Sequence, residues 1–231
     1  MREDQKKGGS VAPIIVGIVA VIILVLSGTM IGLSLASNKG DDTGESSEPV
    51  ATTTTGEKIG EHERGKLDSD VVVMEYADMQ CPGCAAMMSV MESLYEKYGD
   101  RVKFVYRHYP LNGHKNAKAA STAVEAAGRQ GYFWEMLSAV FDSQGDWGYK
   151  SGDKLTSALV DVFKTVSNGK GDIERFKNDF GDTAITEKIE NDKNLGIEVN
   201  IKATPTILVN GESIDLSTRA ISEAIEKALE K

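Results

Sequence analysis

The sequence predicts an α/β domain with an inserted block of helices, preceded by one N-terminal transmembrane helix. Two patterns support this prediction. Short β-branched segments alternate with helical ones, and about 80 residues of helical pattern separate the second strand from the third. Near the N-terminus, an uncharged apolar run has the length that a helix needs to cross a bilayer.

The apolar run is nearly continuous from Ile14 to Leu35, and no charged residue occurs between Gly8 and Asn38. Three basic residues precede the run, which favours a cytoplasmic N-terminus by the positive-inside rule. We therefore predict a cytoplasmic segment at residues 1–13 and a transmembrane anchor at residues 14–36. The catalytic part of the chain would then lie outside the cytoplasm, on a single-pass anchor in the cell membrane.

Two alternatives to the anchor remain. The first is a buried core helix, although the run is longer and more continuously apolar than such helices usually are. The run could instead be a cleaved signal peptide, because residues 34–36 (SLA) resemble a small-x-small cleavage site, although the run exceeds the usual length of a signal core. Both the anchor and the signal peptide would export the domain that follows.

Residues 37–66 are rich in Gly, Ser, Thr and acidic residues, and such a composition does not bury enough apolar surface to offset the entropy of ordering. We therefore predict a flexible linker over residues 37–66. His62 lies in this stretch and is interpreted as a solvated side chain. The folded domain is expected to begin at residue 67 and to reach residue 231.

Charge and cysteine count exclude several classes of function. The net charge of −9 argues against a nucleic-acid partner, since phosphate binding requires a basic face. Only two cysteines are present, which is too few for a structural disulfide framework. No second C-x-x-C completes a zinc site. Metal binding is therefore not expected, although His108 and His114 keep a zinc alternative open.

The order of elements places the two cysteines between a strand and a helix. Residues 71–77 (VVVMEYA) predict a buried strand, and residues 102–107 (VKFVYR) predict a second one. Asn210-Gly211 indicates a hairpin after a third strand at 206–209, and Ser217 is a good N-cap for the last helix. Helices are predicted near residues 82–98, 115–128, 131–143, 153–166, 172–180, 183–195 and from 217 onward.

The motif Cys81-Pro82-Gly83-Cys84 has the spacing of a redox-active pair. Pro82 suits the first turn of a helix, which places Cys81 at the helix N-terminus. Unpaired backbone N–H groups and the helix dipole favour a thiolate there, and a thiolate is the attacking species in disulfide exchange. Cys84 lies one turn further along and more buried, so it could attack a mixed disulfide formed at Cys81. The alternatives are half of a metal site or two incidental buried thiols.

A second motif, Ala203-Thr204-Pro205-Thr206, precedes the third strand. Because proline is excluded from strand interiors, Pro205 is expected at the start of the strand, where a cis Thr204–Pro205 bond is one option. The alternative is an ordinary proline at a strand edge.

With these motifs, residues 67–231 resemble the DsbA-like branch of the thioredoxin superfamily. The resemblance rests on residues 75–84 (EYADMQCPGC), 104–111 (FVYRHYPL), 131–136 (GYFWEM), 195–197 (LGI), 203–206 (ATPT) and 210–211 (NG). It implies a thioredoxin fold with a helical insertion at about residues 114–195. It further implies a nucleophile at Cys81 and a resolving cysteine at Cys84.

Three further roles are implied by the same resemblance. Pro205 would be a cis-proline facing the disulfide, and Thr204 would contact the backbone of a bound peptide. Glu75 would be a buried acid that assists proton transfer near Cys84, whereas its alternative is a solvent-facing glutamate at a strand edge. Burial would raise the pKa of Glu75 and suit it to act as a base.

The resemblance implies a protein thiol–disulfide oxidoreductase that needs no cofactor besides its own Cys81–Cys84 disulfide. We expect an oxidase of exported, cysteine-containing proteins, reoxidised by a quinone-linked membrane partner. The alternatives are a reductase or isomerase, or a non-catalytic chaperone or metal-handling module. Pro82-Gly83 lacks the histidine found between the cysteines of the best-known oxidase of this family, so the dipeptide leaves the direction open.

Five other side chains have open roles. Phe133 and Trp134 are expected in the core of the insertion, and His114 is interpreted as a capping or surface residue. Trp147 and Tyr149 lie in a glycine-rich stretch, where they could serve packing or substrate contact.

Overall fold

The computed structural model describes residues 51–52 and 58–231. The predicted cytoplasmic segment at 1–13, the predicted anchor at 14–36 and most of the predicted linker lie outside these residues. Within residues 51–52 and 58–231, no helix is both long enough and apolar enough to span a membrane.

A mixed five-stranded sheet forms the centre of the domain. Its strands are β3 (His62–Gly65), β4 (Val72–Ala77), β5 (Lys103–His108), β6 (Thr206–Val209) and β7 (Glu212–Ile214), and their order in the sheet is β3-β5-β4-β6-β7. Strands β4 and β5 are parallel, whereas the other neighbouring pairs are antiparallel. A separate two-stranded ladder joins β1 (Ala51–Thr52) to β2 (Lys58–Ile59). This is a thioredoxin-like α/β architecture.

Helix α1 (Pro82–Tyr98) connects the two parallel strands, and helix α8 (Thr218–Leu229) ends the chain. Both helices contribute apolar side chains to one core on the sheet, because their buried residues recur at helical spacing. Ser217 caps α8 as predicted, since its hydroxyl accepts a hydrogen bond from the Ala220 N–H. Asn210 and Gly211 both adopt positive φ at the β6–β7 turn, which explains the Asn-Gly pair.

The predicted helical insertion lies between β5 and β6. It contains α2 (Ala117–Gly128), α3 (Phe133–Asp142), α4 (Gln144–Trp147), α5 (Asp153–Val166), α6 (Ile173–Asn178), a 3₁₀ turn (Asp179–Gly181) and α7 (Thr183–Glu198). Its core is a second apolar cluster in which the rings of Phe163 and Phe176 stack at 4.3 Å. The short helix α4 is not among the predicted elements, because four residues carry no periodic signal.

The domain boundary at residue 67 and the flexible character of residues 58–66 are corrected by the structure. Strand β3 pairs antiparallel with β5, from His62 opposite Tyr106 to Gly65 opposite Lys103. Ile59 is buried in the core. The prediction fails because the charged side chains of this segment pair with other side chains of the domain, whereas polar composition suggested that they would be hydrated.

The interpretation of His62 as a solvated side chain is wrong. Its ring stacks on Phe133 with 3.4 Å between centroids, and its Nε2 lies 2.7 Å from Glu125 Oε1. Phe133 is buried in the insertion as expected, and Trp134 packs partly buried beside it.

Candidate active site

Cys81 occupies the N-cap of α1, with Pro82 in the first turn as the sequence predicts. Its backbone is extended, and its carbonyl accepts the first helical hydrogen bonds from the N–H groups of Cys84 and Ala85. The Cys81 side chain is partly exposed, and its Sγ–H donates to the Thr204 carbonyl at 3.4 Å. The outer sulfur therefore lies at the surface, at the positive end of the α1 dipole.

Cys84 lies one turn deeper and is fully buried. Its Sγ accepts a hydrogen bond of 3.4 Å from the Asp78 N–H. Burial raises the pKa of the Cys84 thiol far above its ordinary value, and the hydrogen bond from Asp78 only partly offsets this effect. Both cysteines are thiols in this structure. The pair thus combines an accessible sulfur with a shielded one that holds its proton.

Pro205 packs directly against the motif and follows a cis peptide bond to Thr204. A Cβ added at Gly83 would lie 3.3 Å from Pro205 Cδ and 3.6 Å from Cys81 Sγ. The glycine therefore allows the proline to approach the cysteines at van der Waals distance. As the family resemblance implies, the structure brings together Cys81, Pro82, Gly83, Cys84, Thr204 and Pro205.

Glu75 lies on the central strand β4, with Tyr106 opposite on one side and Ile207 on the other. The alternative of a solvent-facing glutamate at a strand edge is therefore excluded. Burial raises the pKa of Glu75 to about 8, and the charge of Arg64 opposes this shift. The carboxyl of Glu75 is also one of the charges that raise the pKa of Cys84. Glu75 is thus protonated near neutral pH and electrostatically coupled to the buried thiol.

Arg64 is a site residue that the sequence analysis missed. Its guanidinium stacks over the rings of Tyr95 and Trp134, at 4.1 and 4.3 Å from their centroids. It also makes two hydrogen bonds to the Glu92 carboxylate, at 2.6 and 3.1 Å. This arrangement holds a positive charge near Glu75, on a strand that composition alone assigned to the linker.

Asp78 is a second missed residue and organises the loop before Cys81. Its buried carboxylate accepts hydrogen bonds from the N–H groups of Gln80 (2.6 Å) and Leu111 (2.6 Å). His114 Nδ1 lies 2.9 Å from the same carboxylate. His114 is therefore neither a cap nor a purely surface residue, since it contacts the loop that carries the cysteines. No local pattern indicates the contacts of Asp78 with Leu111 and His114, because these residues lie more than 30 positions further along the chain.

The histidines do not gather into a metal site. His108 is buried with its Nε2 3.1 Å from Glu125 Oε1, whereas His114 contacts a different carboxylate, that of Asp78. Among residues 51–52 and 58–231, no group of three or more His, Cys, Asp or Glu side chains could hold a metal ion.

A sequence model of the thioredoxin family matches residues 57–229, which is well over half of the chain. The chain belongs to the thioredoxin family. Among solved structures, this thioredoxin-family domain is similar to oxidised BdbD from Bacillus subtilis, at 29% sequence identity and a TM-score of 0.64. That likeness covers 74% of this chain and 94% of BdbD.

Two more distant structures share the fold of this thioredoxin-family domain. Alpha-DsbA1 from Wolbachia pipientis is 23% identical with a TM-score of 0.61, over 74% of this chain and 92% of that chain. A thioredoxin-like oxidoreductase from Silicibacter pomeroyi is 22% identical with a TM-score of 0.62, over 74% and 93%. The family match, the likeness to BdbD and the pair of exposed and buried cysteines identify a thiol–disulfide oxidoreductase, whereas the two more distant structures show the fold alone.

Curated relatives contain a similar segment within longer proteins. The Na⁺/H⁺ antiporter NhaA 1 of Mycolicibacterium vanbaalenii is 32% identical over 154 residues, covering 65% of this chain but 23% of that protein. The antiporter NhaA 3 of Salinispora tropica is 33% identical over 152 residues, covering 65% and 22%. The chain thus spans less than a quarter of either relative.

Proposed function

We propose that this thiol–disulfide oxidoreductase acts outside the cytoplasm and oxidises cysteine pairs in exported proteins. One observation supports thiol–disulfide exchange at the Cys81–Cys84 pair most directly. The buried Cys84 has a pKa far above its ordinary value, and Glu75 beside it is protonated near neutral pH. Cys84 therefore leaves an opened disulfide as a thiol, which suits exchange in either direction. The oxidising direction is supported by the predicted export of the domain, since disulfides persist outside the cytoplasm.

The proposed reaction begins with a Cys81–Cys84 disulfide and a substrate with two thiols. A substrate thiolate attacks Cys81 Sγ, so that a mixed disulfide forms and the bond to Cys84 breaks. The electron pair goes to Cys84, which takes the proton that Glu75 holds in this buried setting. The second substrate thiolate then attacks the substrate sulfur of the mixed disulfide, and the bond from that sulfur to Cys81 breaks. The substrate leaves with a disulfide, and Cys81 leaves as a thiolate.

Each cycle transfers two electrons to the protein, so an oxidant must regenerate the Cys81–Cys84 disulfide. We propose a quinone-linked membrane protein in this role. The uncharged apolar run at residues 14–36 supports a location at the cell membrane, with the domain on the outer side. Compartments outside the cytoplasm are also those in which disulfides persist.

The reduction potential of the Cys81–Cys84 pair tests this proposal. Residues 47–231 would be equilibrated with defined ratios of reduced and oxidised glutathione, and the fraction of disulfide measured. A potential near about −120 mV, typical of strong oxidants, would support the oxidase. A potential near about −270 mV would mean that the protein retains its disulfide too tightly, and the reductase alternative would then replace it.

A Cys81→Ser variant separates both redox functions from a non-catalytic module. Loss of the outer sulfur should abolish thiol exchange in either direction. Full function of this variant in cells that depend on the protein would leave only a chaperone or metal-handling function.

A further inference from the structure

Tyr149 and Trp147, two residues apart, have opposite environments. Trp147 is fully buried, and its indole Nε1–H donates to the Val140 carbonyl at 2.8 Å. Tyr149 is 97% exposed, which makes it the most exposed of the large apolar side chains in residues 59–231. Trp147 therefore serves packing, whereas Tyr149 contributes nothing to the core.

The loop that carries Tyr149 is fixed on both sides. The Asn116 Nδ2–H₂ group donates to the Gly148 carbonyl at 2.9 Å and to the Lys150 carbonyl at 2.8 Å. The Lys150 N–H closes a turn onto the Trp147 carbonyl at 2.9 Å. The exposure of Tyr149 is thus not that of a loose chain end, because the residues on either side are held by hydrogen bonds.

The same loop is joined to the cysteine motif. Gln80, which directly precedes Cys81, donates from Nε2 to the Gly148 carbonyl at 2.9 Å. Covalent geometry then limits the distance between the Cα atoms of Tyr149 and Cys81 to about 18 Å, or about five extended residues. Gln144 adds a second connection, since its Nε2 donates to the Cys81 carbonyl at 3.2 Å. The position of Tyr149 relative to the reactive sulfur is therefore defined by the fold.

An aromatic ring that is exposed to water on an ordered backbone is suited to binding. Tyrosine offers a large contact area with few torsions to restrict, so packing against it costs little conformational entropy. The fixed loop lowers that cost further, because the site is already in place before a ligand arrives. The next residue, Lys150, lines a groove of about 600 Å³ along α4 and α5, where a bound chain could continue.

We propose that Tyr149 is a substrate-contact residue that packs against the polypeptide flanking the cysteine under attack. The ligand is a reduced, unfolded polypeptide with an apolar residue within about five positions of that cysteine. Such a chain, once joined to Cys81 through a mixed disulfide, is long enough to reach Tyr149. Glutathione has one residue on either side of its cysteine and is too short. This inference rests on the proposed function for its substrate class.

The test compares oxidised wild-type protein with Tyr149→Ala and Tyr149→Phe variants. Two reductants would be used in stopped-flow experiments: a twelve-residue peptide with two cysteines and flanking leucines, and glutathione. We expect the Tyr149→Ala variant to react about five- to tenfold more slowly with the peptide, in line with the loss of one aromatic contact. The rate with glutathione and the reduction potential should not change, and Tyr149→Phe should stay within about twofold of wild type.

Leu67→Ala is a matched control. Leu67 is also exposed, at 57%, but it precedes β4, whereas Cys81 follows the opposite end of that strand. This control should react with the peptide like wild type. A decrease with the peptide in the Leu67→Ala variant, an equal decrease with glutathione in Tyr149→Ala, or no decrease with either reductant would overturn the inference.

The same comparison in reverse separates this inference from the proposed function. Reduced protein would be mixed with the peptide in its disulfide form, and the rate of peptide reduction measured. If the protein proves to be a reductase, Tyr149→Ala should still slow the peptide reaction selectively. A selective effect together with a low potential would reject the oxidase and retain Tyr149 as the contact.

Discussion

Two buried groups, Glu75 and Cys84, share one physical cause for their behaviour. Each loses hydration on folding, and desolvation disfavours the ionised forms of both a carboxylic acid and a thiol. Each negative charge would also disfavour the other. Both groups therefore hold their protons more tightly than similar groups in water. In the proposed reaction, one proton passes from Glu75 to Cys84 when the disulfide opens.

Replacing Glu75 by glutamine should remove a pH dependence of folding stability. The pKa of Glu75 is about 8 in the folded state, against 4.5 ordinarily, so the folded protein binds this proton more tightly than the unfolded chain. Its contribution is complete below pH 4.5 and is lost as pH rises to about 8. The loss amounts to roughly 1.4 kcal/mol per pH unit within this window.

Urea unfolding of both reduced proteins at pH 5, 7 and 9 measures this difference. The stability of Glu75→Gln relative to wild type should increase by a few kcal/mol from pH 5 to pH 9. Other titrating groups are common to both proteins and cancel in the comparison. A constant difference across these pH values would mean that Glu75 titrates as it does in water.

The unequal exposure of the two sulfurs predicts which variant traps a substrate. In Cys84→Ser, the exposed Cys81 can still form a mixed disulfide, but no thiol remains in the buried position to resolve it. In Cys81→Ser, the remaining thiol is buried and retains its proton. Non-reducing gels after mixing with a peptide disulfide should show a stable adduct for Cys84→Ser alone. Equal adducts with both variants would contradict these roles.

At the scale of elements, the local sequence pattern predicted the helices and strands in which buried side chains recur with a regular period. Helix α5 spans the predicted residues 153–166, strand β6 the predicted residues 206–209, and α8 begins after the predicted cap. Strand β3 was missed because its residues, HERG, contain three ionisable side chains. Composition assigns such residues to water, and their partners lie 28 to 63 positions further along the chain.

The candidate site shows the same limit. The cysteines and the proline loop were identifiable because each belongs to a short motif, whereas Glu75 was indicated by the family resemblance alone. Arg64, Asp78 and Gln80 act through contacts between distant segments, and a single sequence does not reveal which segments meet. The structure adds these supporting contacts.

Strand β3 should be required for full stability. A chain that begins at Leu67 lacks the strand and four side chains with partners in the rest of the fold, Glu61, His62, Glu63 and Arg64. It also leaves Glu125, which is buried, without one of its two histidines. Compared with residues 47–231, this shorter chain should unfold at a clearly lower urea concentration, with a loss of several kcal/mol. Equal urea midpoints for the two chains would mean that residues 58–66 add no stability and behave as part of the linker.

At the scale of the whole domain, buried charges join the insertion to the sheet. Lys188 on α7 is fully buried, with its Nζ 2.5 Å from Asp192 Oδ1 and 3.5 Å from Glu61 Oε1. Asp192 also accepts a hydrogen bond from the His108 N–H at the end of β5. Arg107 extends the connection to Glu61, at 3.1 Å. One ammonium group thus balances carboxylates from the N-terminal segment and the insertion.

The contribution of this network to the free energy of unfolding depends on its balance of charge rather than on the ion pair itself. Lys188→Met should destabilise the protein by about 3–5 kcal/mol at pH 7, because it leaves buried carboxylates without their cation. Adding Asp192→Asn should restore much of this loss, since the amide oxygen can still accept the His108 N–H while one uncompensated charge disappears. Glu61 keeps its contact with Arg107 in both variants. Urea unfolding of the two variants and of Asp192→Asn alone completes a double-mutant cycle. If the double variant were as unstable as the sum of the single ones, packing of the Lys188 stem would explain the loss, and charge balance would not.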